Sequence, residues 1–413
     1  MEGDEIVNAR IYCLSDKILL GRTNNRSLQF LSKTLFSKGF RIDEIQILPN
    51  NVAENFDDIT KFEGKQNLFV YLLDSQNSYP QILNNLCQKT GAQKTTSNIA
   101  KTVIQNRYSS KNIPMPKESA DCQLVPEGAY VVGNIYSDIQ CVVLSSKNDF
   151  YLIMPSGEQE LETYLDKMLS FVLQNQPQYK QCQTFKTFGL SEQNIRQVLS
   201  DLIKNKDKIS INVYSDNLDS EIIIRSKSEQ VAFNEYVGKV FSRLTKYIYA
   251  EESISMEQTL FRLLSNSNLS VSFGESITHG NIVNSLMTAN PEFSKYIKAT
   301  YVFQDAKNIC DRISAKTSTI QNFGNSSVET IFEVSSNIIN ETGSDIVCGV
   351  VGSFENEVCK SYVAVGDKNA IHVYKNTFCA PFCEAIDSTT KATLFYLIKK
   401  LRQNDFHFDK KTV

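Results

Sequence analysis

Val271-Ser272-Phe273-Gly274-Glu275-Ser276-Ile277-Thr278-His279-Gly280 carries an apolar strand, spanning Leu269 to Phe273, through a glycine and into a helix. The buried face of that helix is Ile282, Val283, Leu286 and Met287, the spacing of an amphipathic helix. The hydroxyls of Ser276 and Thr278 stand at its mouth, where a nucleotide phosphate or a nucleophile would sit. A strand that feeds a helix through a polar bend is the unit of layered α/β folds, whose sites lie at the carboxyl ends of strands.

The same alternation continues outward. Met256 to Leu264 reads as a helix, Gly280 to Thr288 as the helix after the turn, and Ala299 to Phe303 as a strand. Ser327 to Thr342 is a further helix and Asp345 to Val351 a buried strand. Lys360 to Val365 and His372 to Phe378 read as antiparallel strands, and Glu384 to Gln403 as the closing helix. Residues 253–413 are therefore expected as one α/β domain. Upstream, Gln174 to Gln183 is polar, contains Pro177 and reads as a linker. Between them, residues 174–252 offer a helix at Ser191 to Ile203, a hairpin from Ile209 to Tyr214 and Glu221 to Arg225, and a long helix at Glu229 to Tyr249, a small α+β module.

The first 165 residues alternate in the manner of a doubly wound α/β domain. Ala9 to Leu14, Arg41 to Leu48 and Asn67 to Leu73 read as strands, and Ser27 to Lys38 as a helix. The continuous apolar run at Asn67 to Leu73 fits a sheet covered on both faces. Ile135 to Leu144 and Phe150 to Met154 read as a later strand pair.

Composition narrows the function classes. A chain of 413 residues with 41% apolar content has ample core for two or three domains. A net charge of −3 without a basic block gives no electrostatic footprint for nucleic acid. The acidic start Met1-Glu2-Gly3-Asp4-Glu5 lacks a secretory pattern, and no apolar run reaches membrane-spanning length, so no membrane partner and a cytoplasmic location are expected. The ten cysteines form no CxxC pair and read as reduced, mostly buried thiols. Cys379 and Cys383 with His372 leave a tetrahedral metal shell incomplete, so core packing is the expectation there.

Read in order, these segments resemble the CinA family of competence/damage-inducible proteins. In that family a molybdopterin-binding-like domain precedes a small KH-like module and a C-terminal nicotinamide mononucleotide amidohydrolase domain. The family's Glu-Ser-Cys-Thr-Gly-Gly corresponds to Glu275-Ser276-Ile277-Thr278-His279-Gly280, and its Asn-Glu-Ala-Lys to Gln304-Asp305-Ala306-Lys307. Its tyrosine falls one position from Tyr301, and its Thr-Gly-Ile-Ala-Gly-Pro turn becomes Cys348-Gly349-Val350-Val351-Gly352-Ser353. The arginines it places before the last helix have no counterpart from Phe378 to Lys391. In the N-terminal domain the Gly-Asp-Glu turn is Ser15-Asp16-Lys17, the Thr-Asn is Arg26-Ser27, and the glycine-rich loop is Leu73-Asp74-Ser75-Gln76-Asn77-Ser78; Pro155 and Glu160 survive of a later element.

The resemblance implies hydrolysis of the carboxamide of nicotinamide mononucleotide. Ser276 is the candidate nucleophile, Lys307 its base, and Thr278 with the helix-start N–H groups the donors for an oxyanion or phosphate. Glu275, Gly280, Tyr301 and Gly349 are implied substrate contacts. His279 replaces a glycine, and its bulk fills space a substrate would use. A homodimer acting on a small nucleotide is implied, with no cofactor in the C-terminal domain. A divalent metal of unknown identity is implied for the N-terminal one, whose loss of phosphate-wrapping glycines implies loss of pyrophosphatase activity. Two alternatives stand: a catalytically inactive nucleotide- or protein-binding relative, and an amidase with a non-phosphorylated substrate.

Overall fold

Asn67–Leu73 is buried at every position, as a continuous apolar run dictates for a strand covered on both faces. In the computed structural model it lies within a six-stranded sheet ordered Arg41–Leu48, Asn8–Leu14, Asn67–Leu73, Asp149–Pro155, Cys141–Ser146 and Tyr130–Val132. The first four strands are parallel and the last two antiparallel. Strand alternation feeds two cores. Ile11 and Val70 pack with Leu31 and Leu35 of the helix Arg26–Ser37 and Leu165 of Glu158–Leu173, whereas Tyr12 and Tyr71 pack with Tyr79 and Ile82 of Tyr79–Thr90. Helices thus cover both faces, and the doubly wound layer is present. The strand expected from Ile135 begins only at Cys141. The residues before it form a loop tied by its own side chains: the Asn134 N–H donates to Gln140 Oε1 at 2.8 Å and Asn134 Nδ2 to the Ile139 carbonyl at 2.9 Å.

The structure describes residues 8–23, 25–51, 67–173, 181–204, 209–226, 230–304 and 306–408. It divides into two compact units, Met1–Lys180 and Gln181–Val413. Of the expected linker, residues 174–180 lie outside the described set, and Gln181 already opens a strand.

The second unit holds two sheets. The smaller is antiparallel, ordered Ile209–Asp216, Asp219–Ser226, Gln181–Phe188 and Ile248–Ala250. Two of these strands correct the sequence reading. Gln181–Phe188 was expected in part as linker, and Ile248–Ala250 as the end of a helix that stops at Leu244. The larger sheet is ordered Ile297–Val302, Val271–Glu275, Ile346–Glu355, Val358–Gly366 and Ile371–Cys379, the first three parallel and the last two antiparallel. The helices Met256–Ser267, Asn281–Ala289 and Phe382–Phe408 contribute to the core on one face, and Val328–Thr342 packs on the other.

Phe188 and Tyr249 of the smaller sheet join the same core as Leu394 and Leu397 of the closing helix. Lys399 and Arg402 of the closing helix anchor this junction. Arg402 donates to the Tyr249 carbonyl at 2.5 Å, Lys399 to the Lys246 carbonyl, and Lys400 pairs with Asp367 at 2.8 Å. Thr317 and Ser318 open the helix Thr317–Phe323. All ten cysteines are free, and Cys379 and Cys383, expected in the core, are exposed. Among the described residues no helix is long and apolar enough to cross a membrane.

Candidate functional site

The turn after Val271–Glu275 is placed by the glycine before it. A methyl group on Gly274 would come within 2.6 Å of Ile338 Cδ1, and one on Gly349 within 2.6 Å of Ser335 Oγ and 2.9 Å of Ile331 Cδ1. The two glycines are paired across adjacent strands. Together they let the helix Val328–Thr342 approach the sheet, which aligns the strand ends. Gly349 therefore faces that helix. Tyr301, paired with Gly274 on its other side, is hydrogen-bonded to Glu341 of the same helix; burial first, then this carboxylate, pushes its pKa up.

Alternation turns Glu275 to the opposite face, where it is completely buried. Thr278 Oγ1 donates to its Oε2 at 2.8 Å, and the backbone N–H groups of Ile282 and Val283 donate to its two oxygens at 3.1 Å each. Burial pushes the Glu275 carboxyl above the usual range, while these donors pull it back. The carboxylate thus fills the electropositive N-terminus of Asn281–Ala289. The adjoining residues bend sharply, with His279 at φ 51° and Gly280 at φ 88°. The Cys348 thiol, on the same face, is pushed up by burial and then by the Glu275 charge.

Ser276 is half-buried just beyond the strand. Its N–H donates to the Val350 carbonyl at 3.0 Å and its carbonyl accepts from the His279 N–H at 3.0 Å. Among the described residues its hydroxyl has no hydrogen-bond partner, and the N–H groups of Ile277 and Thr278 have no acceptor. The Ile277 side chain is buried against Gly352, where a methyl group would lie 3.1 Å from Ile277 Cγ2. The exposed His279 ring lies 6.1 Å from that of Phe382, which in turn meets Phe354 edge-on at 5.1 Å. Lys307 belongs to the helix Ala306–Ile313, but its side chain lies outside the described residues, as does Asp305.

Of the residues expected to act together, the fold therefore gathers Glu275, Ser276, Thr278 and Gly280 in one turn. It places Tyr301 and Gly349 on the other face of the sheet. The hydrogen bonding gives Thr278 and the helix-start N–H groups an internal partner.

A hollow occurs in the first unit. A cleft of about 630 Å³ opens where Asn8–Leu14, Asn67–Leu73 and Asp149–Pro155 end, with Ser15, Lys17, Arg26, Asp74, Ser156 and Glu160 in its lining. It lies where the strand order reverses, between Asn8–Leu14 and Asn67–Leu73, the usual place for a ligand in an open α/β sheet. Sequence reasoning marked these positions as eroded motifs without assembling them into a cavity. The available signal was that each follows a strand.

The chain is similar to several known proteins. Residues 253–401 match the model of the CinA C-terminal domain. Over 407 residues, 95% of this chain and 99% of the relative, the chain is 21% identical to a competence-damage inducible protein of Caldicellulosiruptor saccharolyticus. A CinA-like protein of Kosmotoga olearia is 20% identical over 356 residues, 84% of this chain and 85% of that one. A solved CinA structure of unknown function from Thermoplasma acidophilum is 16% identical, covers 40% of this chain and 98% of its own, and superposes with a TM-score of 0.33.

Proposed function

We propose that this chain is a divergent member of the CinA family, with residues 253–401 as its C-terminal domain, and that it hydrolyses the carboxamide of a nicotinamide mononucleotide-like substrate at Ser276. The observation that carries the reading is the state of that hydroxyl. It is half-buried, held at a strand end by two backbone bonds, and unpartnered among the described residues, whereas the neighbouring Thr278 hydroxyl is committed to Glu275. Ser276 Oγ attacks the carboxamide carbon while its proton passes to Lys307 as the base. The N–H of Ile277, next to the nucleophile and without an acceptor, is the donor for the oxyanion. The C–N bond then breaks, ammonia leaves with the proton returned by Lys307, and water hydrolyses the acyl-serine by the same route to the carboxylic acid. Glu275 is a positioning residue: it orders the turn and its helix through Thr278. The reading makes the protein a cytoplasmic homodimer acting on a small nucleotide, with no cofactor in its C-terminal unit.

A second reading, a nucleotide-binding relative without turnover, is favoured by one observation. The Glu275 carboxylate already occupies the helix N-terminus, and the stretch Phe378 to Lys391 supplies no arginine for a phosphate. Ammonia release from nicotinamide mononucleotide decides between them. The wild type is expected to exceed Ser276→Ala by at least about 100-fold, the scale on which loss of a nucleophile acts. Equal release from both, with nucleotide binding retained, replaces the first reading by the second.

A further inference from the structure

The cleft of the first unit sits where the family resemblance calls for a divalent cation, and its side chains do not fit one. A hard cation needs several oxygen ligands converging on one point. Among the described residues, no group of three or more histidine, cysteine, aspartate or glutamate side chains is so placed. Two acidic groups near the mouth are engaged otherwise. Asp16 Oδ1 accepts the Asn50 N–H at 3.1 Å. Asp74 uses both oxygens, accepting Ser15 Oγ at 3.0 Å and Lys17 Nζ at 3.2 Å. The Glu160 carboxylate lies against Gly157, where a methyl group would stand 1.7 Å from Oε2.

We infer that the Lys17 ammonium, bound to Asp74, has replaced the divalent cation of this cleft, which therefore takes its ligand without metal. The geometry is specific. Ser15 Oγ donates to Asp74 while accepting the Ile18 N–H at 3.3 Å, which fixes the short turn carrying Lys17 at the end of Asn8–Leu14. The third position of that turn, acidic in the family pattern, is here a lysine. An ammonium on Asp74 both consumes the carboxylate and repels an incoming dication. The ligand class changes with it. With Lys17 and Asp74 neutralising each other, the lining retains one further cation, Arg26, and two carboxylates, Glu158 and Glu160, a balance that disfavours a polyphosphate and suits a neutral, hydroxyl-rich or amide-bearing molecule held by groups such as Ser27, Ser137 and Ser156.

Calorimetric titration of the full chain with MnCl2 tests the replacement. Lys17 is two-thirds exposed, so Lys17→Glu leaves the fold intact, which circular dichroism verifies. The wild type is expected to show no saturable site. Lys17→Glu is expected to bind Mn2+ at least about tenfold more tightly, as a second carboxylate beside Asp74 allows, and Lys17→Glu with Asp74→Asn to lose that gain. A saturable Mn2+ site in the wild type that Asp74→Asn abolishes would overturn the inference, and so would a Lys17→Glu variant with no gain.

Discussion

The turn at Glu275 to Gly280 and the cleft behind Ser15 and Asp74 lie at the carboxyl ends of parallel strands, yet they spend their polar groups differently. The turn comes from six consecutive residues, and a buried carboxylate takes up its hydroxyl and helix N–H groups, leaving Ser276 as the unpartnered hydroxyl. The cleft is assembled from segments far apart in the chain, and its central carboxylate is held at the rim by an exposed lysine. In both places a glutamate stands near a helix N-terminus, Glu275 bonded to its N–H groups and Glu160 against Gly157. The contrast teaches that a retained motif and an open cavity are separate properties. The turn commits its polar residues largely to internal order, while the cleft leaves room with its charges paired at the rim.

Glu275→Ala should break this comparison most forcefully. It leaves one buried and one partly buried N–H group and the Thr278 hydroxyl without an acceptor, a loss of about 3 kcal/mol read from the urea midpoint. A loss under about 1 kcal/mol would mean that the turn does not depend on this carboxylate. The pH dependence follows from the direction of its shift. Because burial raises the Glu275 pKa in the fold, its contribution is fully present below the unfolded-state value and is lost as pH rises through the folded one. The stability gap between wild type and Glu275→Gln should therefore narrow with rising pH, and a widening gap would contradict the assignment.

Gly349→Ala ranks next. The added methyl meets Ser335 and Ile331, so about 1–3 kcal/mol should be lost by overpacking. Because Gly349 faces away from Glu275, the Michaelis constant for the amide substrate should stay unchanged; a rise at unchanged stability would return Gly349 to the substrate site. Lys17→Ala is the smallest effect. The exposed pair with Asp74 contributes less than about 1 kcal/mol, so the thermal midpoint should barely move. A larger drop would make the cleft rim as dependent on its charges as the turn is on Glu275.

Legibility followed the amount of local signal in each segment. Arg41–Leu48 and Asn67–Leu73 were readable to the residue, one from strict alternation and one from an unbroken apolar run. Gln181–Phe188 was not, because its Gln-Cys-Gln-Thr start is polar and becomes a central strand by pairing with Asp219–Ser226 and Ile248–Ala250. Tyr249 read as helix for the same reason: its partners are remote, Asp219 at 2.9 Å and the guanidinium of Arg402. In the candidate site, Ser276, Thr278 and Glu275 were visible as a contiguous turn. Which of them is free was not, since that depends on where one carboxylate points.

By itself the sequence determined the layered α/β class, the position of the polar turn and its lineage, since hydrophobic periodicity and contiguous residue types are local properties that survive at about one identity in five. Only the tertiary structure decided that Glu275 caps its own helix, that Gly349 and Tyr301 face the other side of the sheet, and that Lys17 meets Asp74 across 57 positions of chain. The physical reason is one of range. A hydrogen-bonding group is committed by whichever partner the fold brings within about 3 Å, and that partner is set by strand order and packing.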